Sequence, residues 1–91
     1  MKLSLESQIE ALLFWKAEPV SIKKLASLLK KEVSEVTTAV TNLQEQLKNR
    51  GLTLVQWEDE VTLGTSSHVS ELIESLTKEE LTKAAAEMQL L

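Results

Sequence analysis

Apolar residues in the first part of the chain recur at helical spacing. Leu5, Ile9, Leu12 and Leu13 fall at i, i+4, i+7 and i+8, which predicts a first helix over Leu3–Ala17 with these four turned inward. A rotation of roughly 100° per residue then puts Phe14 on nearly the opposite side, near Ser7 and Glu10, and Trp15 on a flank beside Ala11. A single face cannot bury Leu12, Leu13, Phe14 and Trp15 together. Some of these side chains must meet another part of the chain or another molecule.

Pro19 ends that helix, because it disfavours α geometry at Glu18 and has no backbone N–H. Ser21 is a good N-cap for a second helix, Ile22–Leu29, with Ile22, Leu25, Ala26 and Leu29 inward and Lys23, Lys24, Lys30 and Lys31 outside or at its end. A turn through Lys30–Glu32 leads to a third helix, Val33–Asn49. Its stripe is Val36, Val40, Leu43 and Leu47, with Val33 a candidate extension. Gly51, after Arg50, suits the left-handed position that closes such a helix.

The period then changes to two. Leu52–Glu58 and Val61–Thr65 read as strands joined by a tight turn at Asp59-Glu60. Neither turn residue is glycine, so a strict type I′ turn is uncomfortable and a longer loop remains open. Leu52, Leu54, Val55, Trp57, Val61 and Leu63 put apolar groups on both faces of the hairpin. Ser66 or Ser67 caps a fourth helix, His68–Leu76, with Val69, Leu72, Ile73 and Leu76 as its stripe. In the tail Thr77–Leu91, Thr77 and Glu80 form a capping box that opens another helical pattern through Leu81, Ala84, Ala85 and Met88.

Helix, helix, helix, hairpin is the order of a winged helix-turn-helix. The expected fold class is therefore α+β, mainly α: three helices and a two-stranded wing, then a fourth helix and a helical tail. Residues 1–76 form the winged-helix domain, and residues 77–91 read as the start of a truncated second one.

Composition narrows the function. Hydrophobic residues at 43% and charged residues at 26% describe an ordinary globular chain, and 91 residues suffice for one domain with room for a fragment of another. The absence of cysteine excludes disulfides and thiolate metal sites. MKLSLESQIE lacks the apolar core of a signal peptide and no apolar run approaches about 18 residues, so a soluble, cytoplasmic protein is expected, with no membrane partner. The net charge of −4 runs against DNA binding, which draws on a basic surface.

Candidate chemistry is sparse. His68 is the single histidine, and no second imidazole or thiol exists to build a metal site with it. Glu79-Glu80 reads as helix N-terminal charge, and no Gly-rich phosphate loop or nucleophile motif is present. Neither an enzyme nor a cofactor is expected. If the third helix read DNA, Thr37, Thr38, Thr41 and Asn42 would be its contacts. Glu32 and Glu35 would then face phosphate, no arginine precedes Arg50, and the wing tip carries Glu58, Asp59 and Glu60. Phe14, Trp15 and Trp57 either complete a small core or anchor an interface. Phe14 is the stronger interface candidate, because helical spacing directs it away from the inner face.

The stretches IEALLFWKAEPVSIKKLASLL, EVSEVTTAVTNLQEQLKNRGLTLVQ and VTLGTSSHVSELIESL resemble the segregation and condensation protein B family of bacteria. The tail LTKEELTKAAAE is similar to the entry to that family's second winged helix. The resemblance spans nearly the whole chain, and IEALLF followed by EPVSIKKLA is its most specific piece. It implies a non-enzymatic subunit of the SMC–kleisin condensin complex, associated with the nucleoid and acting in chromosome condensation and segregation. It also implies a homodimer through the N-terminal winged helix, and contact with the kleisin and SMC proteins mainly through the second. The chain departs from the family in having Asp59-Glu60-Val61 where a glycine pair precedes an aromatic residue. It also has Trp15-Lys16 where small residues follow the Phe14 position. The alternative class is a winged-helix transcriptional regulator.

Overall fold

The computed structural model describes the backbone of residues 3–90 and the side chains of residues 3–81. Ser4 opens the first helix, α1 (Leu5–Lys16), its Oγ accepting the Ser7 N–H at 3.1 Å. The helix ends at Ala17, whose φ of 55° lies in the left-handed region and whose N–H donates to the Leu13 carbonyl at 3.1 Å. Pro19 then sends the chain into β1 (Val20–Ser21). This strand is the one regular element the sequence pattern does not predict, because two residues carry no period. Ser21 still caps α2 (Ile22–Leu29), accepting the Lys24 N–H at 3.0 Å. Ser21→Ala is expected to lower the stability of the domain by about 0.5–2 kcal/mol, read as a fall in the urea midpoint.

The third helix, α3 (Val33–Gln46), is followed by β2 (Leu52–Trp57) and β3 (Glu60–Thr65). The sheet is antiparallel in the order β1-β3-β2, with Val20 opposite Val61 and Leu54 opposite Leu63. The Ile22 N–H donates to the Asp59 carbonyl at 2.8 Å, which ties the start of α2 to the hairpin turn. The wing is therefore three-stranded, and its hairpin is pinned at the turn end to β1 and the start of α2.

Two local readings are corrected. Trp57 pairs with Glu60, so the turn is Glu58-Asp59 and not Asp59-Glu60. Glu58 adopts φ 56°, the left-handed conformation that the first central residue of a primed hairpin turn requires. Without a glycine to mark the turn, the pattern leaves its position open by one residue. After α3 it is Asn49, at φ 60°, and not Gly51 that takes the left-handed conformation. Helix α3 stops at Gln46, and the buried Leu47 sets where the chain must turn. Asn49 is among the residue types that enter this conformation most readily.

The core is one cluster. Ile9 and Leu13 of α1, Leu25 and Ala26 of α2, and Val36, Ala39, Val40 and Leu43 of α3 meet Val20, Leu54 and Val61 of the sheet. Leu5, Leu12, Leu29 and Leu63 are partly buried against it, whereas Val33 is exposed and does not extend the α3 stripe.

Beyond the wing, Ser66 is buried and caps a short 3-10 turn, Ser67–Val69, by accepting the His68 N–H at 3.1 Å. Its own N–H donates to the Gly51 carbonyl at 2.8 Å and fastens the turn to the base of β2. Helix α4 then runs without a break from Ser70 to Leu90. The predicted start of a separate helix at Thr77 does not occur: Thr77 lies within α4. A capping box needs an interruption before it, and Ser70–Leu81 contains neither glycine nor proline to stop propagation. Leu72, Ile73 and Leu76 are exposed, as is every residue from Ser70 to Leu81. Ala84, Ala85 and Met88 lie outside the described side chains.

Candidate interaction surface

The packing of Ile9 and Leu13 onto α3 and the sheet fixes the rotation of α1 and thereby decides what it shows to solvent. Phe14 is 77% exposed and Trp15 74%. Consecutive residues on a helix diverge by roughly 100°, and each ring borders its own groove. Phe14 and Ala17 lie beside Leu52, Leu63 and Gly64, along a groove of about 340 Å³ between α1 and the wing. Trp15 lines a groove of about 540 Å³ together with Leu3, Gln8, Ala11 and Leu12. The Lys16 ammonium sits 5.5 Å from the Trp15 ring centre, within cation–π range.

Trp57 is equally exposed, at 75%, but stands elsewhere. It shares the outer face of the sheet with Val55, opposite the buried Leu54. Phe14 borders the Leu52 end of β2, and five residues of strand separate that end from Trp57 by about 17 Å. The structure thus brings Phe14 and Trp15 together on α1 and leaves Trp57 as a separate feature of the wing tip. None of the three completes the core.

The Leu3–Gln8 end of the Trp15 groove was not singled out from the sequence. A partial signal was legible there, since Gln8, Ala11, Leu12 and Trp15 run at i, i+3, i+4 and i+7. What places Leu3 beside Gln8 is tertiary detail: Gln8 Nε2 donates to the Leu3 carbonyl at 2.9 Å, which only the folded chain shows.

The outer side of α3 offers little for reading bases. The Thr37 hydroxyl donates to the Val33 carbonyl at 2.9 Å, and the Thr41 hydroxyl donates to the Thr37 carbonyl at 3.2 Å. Both groups are thereby committed to their own helix backbone. Thr38 and Asn42 are exposed but share that side with Glu35 and Glu45, and Glu45 holds Lys48 in an ion pair of 3.0 Å. Among the described residues no three His, Cys, Asp or Glu side chains converge to hold a metal ion, and no helix is long and apolar enough to cross a membrane.

A family model described as segregation and condensation complex subunit ScpB matches residues 7–89. The chain is 41% identical over 90 residues to segregation and condensation protein B of Carboxydothermus hydrogenoformans, covering 93% of this chain and 49% of that protein. It is 32% identical over 87 residues to the protein of the same name from Caldanaerobacter subterraneus subsp. tengcongensis, covering 93% and 52%. The chain therefore spans about half the length of the curated relatives it matches. The fold is shared with the crystal structure of a dimer of the ScpB N-terminal domain complexed with ScpA peptide, at a TM-score of 0.72 and 24% identity, over 78% of this chain and 91% of that one. It is also shared with ScpB from Mycobacterium tuberculosis, at a TM-score of 0.77 and 21% identity, over 89% and 54%. At such identities these two structures establish the winged-helix fold, while the family model and the curated relatives establish kinship: the chain belongs to the ScpB family of segregation and condensation complex subunits.

Proposed function

We propose that this chain is the self-associating winged-helix part of a non-enzymatic SMC–kleisin condensin subunit acting in chromosome condensation and segregation. The observation that carries the reading is the pair Phe14 and Trp15. They are neighbours on a well-packed helix, both about three-quarters exposed, and an aromatic pair left open on a folded domain marks a place where another molecule docks. The dimer and the bound ScpA peptide named for a structural relative belong to that protein and support the same role here. An isologous two-fold contact is the default for one patch on identical chains. Sedimentation equilibrium over a wide concentration range tests the reading. A reversible monomer–dimer equilibrium is expected, and a strict monomer at every concentration overturns it.

Residues 1–76 constitute the winged helix in this proposal, and residues 77–91 lead into a second one that carries the main kleisin contact. Deleting residues 77–91 is accordingly expected to move the melting temperature by less than about 3 °C, the shift that roughly 0.5 kcal/mol produces in a domain of this size. The site of action is the nucleoid, in the cytoplasm.

A DNA-reading regulator is the weaker reading. The acidic wing tip and the self-bonded threonines of α3 oppose it. Fluorescence anisotropy with a labelled duplex, at about 50 mM salt where phosphate contacts are strongest, is expected to give no saturable binding. Binding that falls steeply with salt would restore the regulator.

A further inference from the structure

The outward face of α1 divides into two halves of opposite shape. Its C-terminal half carries Phe14 and Trp15 as projecting rings, and its N-terminal half carries the small or folded-back Ser4, Ser7 and Gln8. Ala11 sits between the halves. We propose that two copies of this chain pack α1 against α1 antiparallel, with the two-fold axis passing through Ala11. The proposal rests on the self-association reading and assigns its geometry. Phe14 and Trp15 lie three and four residues past Ala11, so the axis sets them against the partner's Gln8 and the partner's Ser7, three and four residues before it. Each ring meets a flat or hollow surface, and each hollow receives a ring. The groove of about 540 Å³ lined by Leu3, Gln8, Ala11, Leu12 and Trp15 is the slot on the Gln8 side, and it receives the partner's Phe14, while the partner's Trp15 lies over Ser7.

Three observations favour a second copy over an unrelated helix. The polar groups of the receiving half are partly engaged with one another. The Ser4 hydroxyl donates to Ser7 Oγ at 3.1 Å, Ser4 Oγ accepts the Ser7 N–H, and the Gln8 amide donates to the Leu3 carbonyl at 2.9 Å. Rings laid over them meet fewer open donors, which lowers the usual cost of covering polar surface. Second, the residues of the stripe Gln8, Ala11, Leu12 and Trp15 are themselves uncharged on a chain of net charge −4, and the Lys16 ammonium that borders Trp15 is opposite in sign to the approaching body. Glu10, the nearest acid, lies on the Phe14 flank at the rim.

The third observation is area. An aromatic side chain carries about 150–250 Å², and roughly three-quarters of each ring is open. Covering both rings in two copies removes about 600 Å² of ring surface, and the receiving surfaces contribute a similar amount. A total of about 1,200 Å² reaches the lower end of specific, stable interfaces.

The chain has no cysteine, so single cysteine variants report the axis directly. Packed helices lie about 8–10 Å apart, which brings two residues on a two-fold axis to Cα separations of about 4–6 Å, within disulfide range. Residues 8 of the two copies would be offset along the axis by about 9 Å and could not link. The experiment is diamide oxidation of Ala11→Cys, Gln8→Cys and, as background on α3, Thr38→Cys, at a concentration where the unmodified chain sediments as a dimer. Linkage of most of the Ala11→Cys chain, with the other two remaining at background, is expected. A dimer that links through Gln8→Cys, or through neither position on α1, overturns this geometry and leaves self-association standing. An unmodified chain that sediments only as a monomer overturns both. In Trp57→Phe, where Trp15 is the only indole, emission is expected to move to longer wavelength on dilution below the dimer range. Emission that does not change on dissociation counts against a buried Trp15.

Discussion

Trp15→Glu is expected to weaken self-association by about three orders of magnitude while leaving the helical content and melting transition of the monomer unchanged. Truncating a central aromatic anchor costs about 2 kcal/mol or more, and a two-fold interface loses it twice. The resulting 4 kcal/mol or so corresponds to roughly a thousandfold in dissociation constant. In the folded monomer Trp15 is mostly in water, so glutamate there removes little packing, and exposed substitutions usually shift stability by no more than about 0.5 kcal/mol. Sedimentation equilibrium beside circular dichroism separates the two effects. A variant that melts early but dimerises as before would mean that Trp15 packs onto its own chain. Phe14→Ala is expected to act in the same direction, more weakly, because truncation introduces no charge.

Leu13→Ala is expected to do the reverse. Leu13 is adjacent to Phe14 in the chain, yet it is fully buried among α3 and sheet residues. Removing its side chain leaves a cavity worth about 2–5 kcal/mol, a large part of the 5–15 kcal/mol that holds a domain of this size together. At about 3 kcal/mol the melting temperature falls by roughly 12–24 °C. The urea midpoint should fall with it at an unchanged slope, and the affinity between folded copies should stay close to that of the unmodified chain. A loss of less than about 3 °C would show that α1 is rotated differently from the structure. Two neighbouring residues thus have opposite signatures, one in folding and one in association.

The three helices of the winged fold were legible because their inward residues keep a period near 3.6, and because Pro19 and Ser21 punctuate the chain where the first helix stops and the second starts. The outward direction of Phe14 followed from the same arithmetic, since Leu5, Ile9 and Leu13 leave it only the opposite side. Strand β1 was invisible. Val20-Ser21 is too short for a period, and it becomes a strand only because β3 presents a free edge to it. The hairpin turn was misplaced by one residue, since neither Glu58, Asp59 nor Glu60 carries the glycine signal that marks a turn. Asn49 displaced Gly51 because the burial of Leu47, a tertiary matter, decides where α3 gives way.

What the sequence by itself determined is the list and order of elements, the inner residues of each helix, and the scarcity of groups for catalysis or for reading DNA. Those properties are local: they depend on residue type, spacing and charge count. The tertiary structure alone decided which side of the wing is covered. Period two sorts Leu54 from Val55 and Trp57 but does not say which set faces the helices. It also decided that the fourth helix runs through Thr77 with Leu72, Ile73 and Leu76 in water, since no local signal states whether a stripe finds a partner. The groove lined by Leu3, Gln8, Ala11, Leu12 and Trp15 became visible last. That groove exists because Gln8 folds back on Leu3 while Ile9 and Leu13 hold α1 in one rotation on the core.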